Sequence, residues 1–413
     1  MAYYESPRWS GEILDCSMPM TFDTYSVCSY NCLYCFSYFQ RSVSTAGSYL
    51  ERNVKHVNVK KVKDMFLKPS STQFGHYIKN KYTMQWGGLS DQFDEYERKY
   101  GITLELLKFF KKINYPLSFS TKSTWFLNDE RYTDIIKGQK NWHFKVSIIT
   151  NSDEKSRQLE LGVDCTSKRI EAINKLHNLG VGGVTLRLRP FVIGISNPGY
   201  KSLIKRASQA GADSVSTEFL CLESRATENL KKRFNNMSSV AGFDIFEKYK
   251  KYSRGSGYLR LNRATKKRFI DDMESCCKEN NLRFYVSDAH FKERSCHGSC
   301  CGIPLDMKYN KGQFTEALMI AKKNGEVTFS DFCDNAKELF SDILHHKASG
   351  FNTASAFNRA SFKNWSMYEY LQYHWNKPKS LKSPCKYFEG ILQPIRKDEN
   401  GDLVYKYMGK KDG

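Results

Sequence analysis

Between residues 20 and 290, apolar runs of strand length alternate with amphipathic helical segments. That alternation limits the chain to an α/β architecture. Strands are predicted at 20–27, 81–86, 117–121, 144–150, 184–189 and 214–220, with a seventh short one at 283–287. Helices fit between them, most clearly at 103–112, 168–179 and 265–280, and Gly180 closes the second of these as a C-cap glycine. Beyond residue 290 the pattern loosens. A cysteine-rich segment follows, then an aromatic and basic stretch with Trp365, Tyr368, Tyr370, Tyr373 and Trp375, and a tail at 410–413. The expected organisation is a catalytic domain over 1–290 and an accessory region over 291–413.

Charge and cysteine content narrow the function classes. The net charge is +20, from 64 Lys+Arg against 44 Asp+Glu, a field that attracts polyanions. Nucleic acid is the commonest intracellular polyanion, and an acidic membrane surface is the alternative. No apolar run of about 18 residues is present, so no membrane span is expected. The first residues lack a signal-peptide pattern, which makes the cytoplasm the expected location. In that reducing compartment, 13 cysteines argue for metal or cluster ligation over disulfides.

Cys28, Cys32 and Cys35 form a C-x3-C-x2-C triplet just after the first predicted strand. Three thiolates on one loop can hold three irons of a [4Fe–4S] cluster and leave the fourth iron open to a small molecule. A zinc knuckle or three unrelated buried thiols are the alternatives, although zinc usually recruits four ligands in paired spacings. Gly87 and Gly88 end the second predicted strand, where a glycine pair either lets backbone approach a ligand or makes a tight turn.

With the aromatic Tyr34 before its third cysteine and Phe36 after it, the triplet resembles that of the radical S-adenosylmethionine superfamily. The resemblance implies a partial (β/α)6 TIM-type barrel whose chemistry lies where the strands end. It also implies that the open iron chelates S-adenosylmethionine and that a flavodoxin- or ferredoxin-type protein donates the electron. Gly87-Gly88-Leu-Ser90-Asp91-Gln-Phe departs from the commoner Gly-Gly-Glu-Pro and looks more like the spore photoproduct lyase branch. Phe-Ser-Thr121-Lys122-Ser123 resembles the segment that this branch places near the methionine carboxylate, and a cation with hydroxyls suits that group. By the same resemblance Ser147 is a candidate for the ribose hydroxyls. Arg169, early in the helix after a long loop, is a candidate to reach a substrate or cofactor carboxylate. Cys165 in that loop is either a hydrogen-atom donor or an inert thiol. Arg187 and Arg189 alternate on one strand face; turned inward they would meet phosphate or carboxylate, turned outward they would be a solvated edge.

Outside the match lies Cys296-His297-Gly-Ser-Cys300-Cys301, with Cys276, Cys277, Cys333 and Cys385 as further partners. Its spacing suits a second [4Fe–4S] cluster, zinc, or free thiols in a small domain. Photoproduct lyases lack such a group, and this departure leaves the reaction open. Basic and aromatic residues interleave from Tyr249 to Arg263, a composition that suits a nucleic-acid channel or an ordinary basic surface helix. The resulting expectation is a radical enzyme that modifies or repairs DNA or tRNA. Its rivals are the same chemistry on a peptide, with an auxiliary cluster, and a non-catalytic, zinc-stabilised nucleic-acid-binding protein.

Overall fold

The computed structural model describes residues 6–9, 14–37, 53–72, 74–224, 226–253, 258–336 and 367–409. The glycine-rich loop 254–257, Trp365 and the tail at 410–413 lie outside the described residues. The largest sheet has eight strands: β1 (Arg8–Trp9), β2 (Met20–Phe22), β4 (Met84–Trp86), β5 (Leu117–Thr121), β6 (Trp142–Ser147), β8 (Gly183–Phe191), β9 (Ser214–Phe219) and β12 (Arg283–Val286), adjacent in that order. β1 runs antiparallel to β2, whereas β5, β6, β8 and β9 are parallel neighbours. From β2 onward the spatial order follows the chain order, so the sheet is singly wound and stays open. Right-handed crossovers of that kind place the connecting helices on one face only.

Two strands are shorter than the sequence suggests, and one residue explains why for each. β2 stops at Phe22 because Asp23 turns its carboxylate onto the backbone of residues 89 and 90. The segment before β4 cannot extend as far as Lys81, which sits at φ 52. The predicted strand at 144–150 is shifted to Trp142–Ser147, while Leu117–Thr121 is found as expected.

Side-chain alternation gives the sheet two unlike faces. On one, Trp86, Phe119, Phe144, Val146, Leu186 and Leu188 are buried. There Phe110 of helix Ile102–Lys112 packs edge-on against Trp86 at 5.6 Å between ring centres, and Phe119 stacks on Phe144 at 4.5 Å. Helix Thr166–Asn178 adds Ala172, Ile173 and Leu176. Each such side chain contributes about 1.5–3 kcal/mol on full burial. The face without these helices is polar. Ser118, His143, Thr185 and Ser214 form a fully buried row across β5, β6, β8 and β9, joined at 2.9, 2.7 and 2.7 Å. Burial, followed by the charges of Lys145 and Arg283, holds His143 well below its usual pKa, so the ring is neutral and bridges as donor and acceptor.

The chain divides into two compact units, one of Met1–Ser6, Phe22–Val62 and Gln85–Phe284, the other of Pro7–Thr21, Lys63–Met84 and Tyr285–Gly413. The first also holds two small sheets, β3 (Asn31–Cys32) with β7 (Glu160–Leu161) and β10 (Cys221–Glu223) with β11 (Tyr258–Arg260). Its helix Arg263–Glu279 buries Cys276 and Cys277 among Phe269, Ile270 and Met273. The second unit carries β13 (Glu326–Val327), β14 (Leu392–Lys397) and β15 (Leu403–Tyr407) around an aromatic core of Phe314, Phe329, Phe332, Trp375 and Tyr405. A buried ion pair, Lys292 to Asp15 at 2.7 Å, lies in this unit, and Tyr387 donates to the same carboxylate at 2.8 Å. Among the described residues no helix is long and apolar enough to cross a membrane.

Candidate active site around the cysteine loop

The loop with Cys28, Cys32 and Cys35 leaves the C-terminal end of β2 and is tied down at several points. The Ser29 amide donates to Asp94 Oδ2 at 2.6 Å, and the Glu95 amide returns a bond to Ser29 Oγ at 3.1 Å. β3, which contains Cys32, pairs antiparallel with β7, and the Leu33 amide donates to Leu159 O at 2.8 Å. From helix Glu228–Ala241, Arg233 donates to the carbonyls of Cys32 and Leu33 and to Asn31 Oδ1. One guanidinium therefore fixes three consecutive residues of the loop. The Cys35 amide closes the turn onto Cys32 O at 3.1 Å.

Cys32 is buried, and Cys28 and Cys35 are half-buried. Burial pushes the Cys32 thiol up to about 12, and it raises Cys28 too, with the charges of Asp94 and Asp91 adding to the effect. The Cys35 charge raises both of the other thiols. No group of three or more His, Cys, Asp or Glu is gathered closely enough to hold a metal ion among the described residues, this loop included. The donor chemistry nevertheless fits an iron–sulfur core. Three soft thiol donors that repel one another as thiolates, in a poorly solvated loop, are stabilised together only by a cationic centre.

Tyr34 is buried and its hydroxyl donates to Glu160. Lys122 places Nζ 5.6 Å from the centre of the Tyr34 ring, so its ammonium lies at the cysteine loop and draws the Cys32 thiol down against the effect of burial. Phe36, the aromatic after the third cysteine, is exposed (48 %).

The Gly87-Gly88 turn follows β4. Gly87 has φ +85, its amide donates to Phe22 O at 3.0 Å, and a Cβ there would lie 2.6 Å from Ser120 O. Only glycine fits that backbone. Asp23 Oδ1 accepts from the amides of Leu89 and Ser90 at 2.7 and 3.0 Å, and Ser90 Oγ donates to Tyr25 O at 2.9 Å. Asp91 is likewise occupied by the protein. It accepts from Thr121 Oγ1 at 2.9 Å, the Lys122 amide at 2.6 Å and the Phe93 amide at 3.0 Å. Ser90, Asp91 and Thr121 thus lock the turn after β4 to the end of β5. Lys122 is left as the charged group of that segment beside the cysteine loop.

Arg169 was expected to meet a carboxylate of substrate or cofactor and instead meets Glu160. The residue is fully buried and donates to both Glu160 oxygens, to Ser156 Oγ at 2.6 Å and to Ser147 O at 2.6 Å. Burial would raise the Glu160 carboxyl, but Arg169 holds it below its usual value, so the pair is ionised. Arg169 is therefore a positioning residue that ties β6 to β7 and, through Tyr34, to the cysteine loop. Cys165 is the N-cap residue of helix Thr166–Asn178 and is half-buried.

Ser147 ends β6 and is buried, with Arg187 Nη1 donating to its Oγ at 3.4 Å. The register pairs Ser147 with Arg187, which puts both on the polar face, as does the pairing of Arg187 with Ser216. Arg189, on that same face, donates to Glu218. The inward orientation of the two arginines follows.

Among the described residues Cys296, Cys300 and Cys301, candidates for a second cluster, zinc or free thiols, are not gathered into a group of three potential metal ligands. Cys296 is exposed, Cys300 is buried, and only Cys300 and Cys301 bring their sulfurs together, at 3.7 Å. The His297 ring is occupied between the Tyr285 hydroxyl at 3.1 Å and Ile303 O at 3.2 Å.

Asp23, Asp94, Glu160 and Arg233 are the site residues that sequence reasoning missed. Each has a contact with a segment at least 65 residues away, and no local spacing announces those contacts.

No family profile matches the chain, and no curated protein matches it. Among solved structures it is similar to a spore photoproduct lyase variant, with 17 % identity over 68 % of this chain and 78 % of that one and a TM-score of 0.49. It is similar to spore photoproduct lyase complexed with dinucleoside spore photoproduct, at 16 % identity, 68 % and 78 % coverage and a TM-score of 0.49. SuiB of Streptococcus suis, bound to its precursor peptide SuiA, follows at 14 % identity, 67 % and 51 % coverage and a TM-score of 0.43.

Proposed function

We propose that this chain is a radical S-adenosylmethionine enzyme that acts on a nucleic acid, with Cys28, Cys32 and Cys35 holding a [4Fe–4S] cluster. The observation that carries the reading is the position of the cysteine loop, which is pinned at the C-terminal end of β2 with the Lys122 ammonium beside it. When bound, the cluster and S-adenosylmethionine supply a reducing electron and a carbon radical able to remove hydrogen from an unreactive carbon. The chain's own residues bind and orient. Lys122 offers a cation to the methionine carboxylate, the Gly87-Gly88 backbone faces the amino group, and Ser147 offers a hydroxyl to the ribose. Asp23 holds the turn in that shape by accepting from the Leu89 and Ser90 amides, and Asp91 ties it to the end of β5 by accepting from Thr121 Oγ1 and the Lys122 amide. Arg233 and the Arg169–Glu160 pair fix the loop and its tyrosine, as pre-organisation requires.

Nucleic acid as substrate is supported by the net charge of +20 and by a basic, aromatic surface in the first unit. On that surface Tyr252 and Tyr258 are 37 % and 47 % exposed beside Lys248, Lys250, Lys251 and Arg260. Lysines meet phosphates and tyrosines stack on bases. The test is anaerobic incubation with S-adenosylmethionine and dithionite. The wild-type chain is expected to release 5′-deoxyadenosine and Cys32→Ala to release none; equal release by both would overturn the cluster assignment.

A further inference from the structure

The polar face of the sheet is anomalous. Parallel strands are ordinarily apolar on both faces, and small barrels fill their interior with Val, Ile and Leu. Here the helix-free face carries polar side chains at successive levels along the strands. Above the Ser118–His143–Thr185–Ser214 row, Lys145 donates to Gln85, whose Nε2 donates to Ser120 Oγ at 3.1 Å. One level further toward the strand ends the row is Ser147, Arg187 and Ser216, and beyond it Arg189 meets Glu218. Three cations and one carboxylate on one face leave it positive.

Within this face the lower rows are hydrogen-bonded across strands, as buried polar groups must be. Ser216 differs. It is fully buried, its register partner is Arg187, and its hydroxyl has no hydrogen-bond partner among the described residues. A buried donor left unmade costs about 1–3 kcal/mol, so its retention calls for a ligand. Beside it the Arg187 guanidinium is oriented by Ser147 Oγ. A guanidinium fork and an adjacent hydroxyl donor together suit an oxyanion.

We propose that Arg187 and Ser216 take a phosphate of the nucleic-acid substrate and so determine specificity for a nucleotide. The inference rests on the reading of the chain as an enzyme acting on nucleic acid. The methionine carboxylate is the other oxyanion available in that reading, and strand spacing argues against it. At about 4.8 Å per strand, β8 lies about 10 Å and β9 about 14 Å from β5, the strand that Lys122 directly follows. A carboxylate seated at Lys122 does not also reach the short side chain of Ser216.

Binding measured by calorimetry separates the possibilities. The probes are dithymidine joined by a phosphodiester, the same dinucleoside with a neutral methylphosphonate link, tri-glutamate, and S-adenosylmethionine. The wild-type chain is expected to prefer the phosphodiester by about tenfold, the worth of one charge-assisted bond. Ser216→Ala and Arg187→Gln should each erase that preference, and in Ser216→Ala the S-adenosylmethionine affinity should change less than about twofold. Equal affinity for the two links, or no binding of the phosphodiester, would overturn the proposal. So would a loss confined to S-adenosylmethionine, or tighter binding of tri-glutamate. Iron content and deoxyadenosine release, measured on the same preparations, show whether a failure is of this inference alone or of the enzymatic reading beneath it.

Discussion

Gly87 carries the most specific backbone requirement in the site. Its φ of +85 and the proximity of Ser120 O leave no space for a Cβ, whereas Gly101, at φ +67, has open space around it. Both conformations disfavour alanine, and only the first adds a clash. Gly101→Ala is expected to cost about 1 kcal/mol, and Gly87→Ala about 1–3 kcal/mol with a displaced turn. Thermal denaturation and S-adenosylmethionine titration read the two effects separately. Gly87→Ala should lower the affinity at least about tenfold while Gly101→Ala leaves it unchanged. Equal affinities would mean that the turn does not face the cofactor. At this scale the sequence was informative about Gly87 and Lys122, whose neighbours lie in short motifs. It was silent about Asp23 and Arg233, because their partners are 66 or more residues away and an aspartate after a strand or an arginine in an amphipathic helix has many ordinary uses.

Between elements, the Arg169–Glu160 pair joins β6, β7 and the cysteine loop from a fully buried position. Arg169→Met leaves Glu160 without its counter-charge and should cost about 3–5 kcal/mol. Arg169→Met with Glu160→Leu removes both charges and should recover much of that loss, as judged by denaturant midpoints. A double variant no more stable than Arg169→Met would show that the pair is not the source of the stability. The elements themselves were legible where burial is periodic: Leu117–Thr121 and the helices Ile102–Lys112, Thr166–Asn178 and Arg263–Glu279 all lie close to their expected positions. They were not legible where a single contact decides the end of a strand, as Asp23 does for β2. The cysteine group at 296–301 illustrates the same limit, since its spacing leaves a cluster, zinc or free thiols open, and the contacts of His297 with Tyr285 and Ile303 come from the fold.

For the molecule as a whole, the charge of +20 makes a prediction of its own. Binding of a single-stranded oligonucleotide should weaken steeply with salt, because each neutralised phosphate releases counterions. Replacing Lys248, Lys250 and Lys251 together by glutamine should reduce the log–log slope by about 2, at about 0.7 per contact. An unchanged slope would place the nucleic acid on another surface. Whether Cys28, Cys32 and Cys35 hold the proposed cluster is decided by iron and sulfide analysis of anaerobically purified protein beside the triple alanine variant. The wild-type protein is expected to carry about four irons and four sulfides per chain, and the variant none. Iron that is absent from the wild-type protein, or that persists undiminished in the variant, would contradict that assignment.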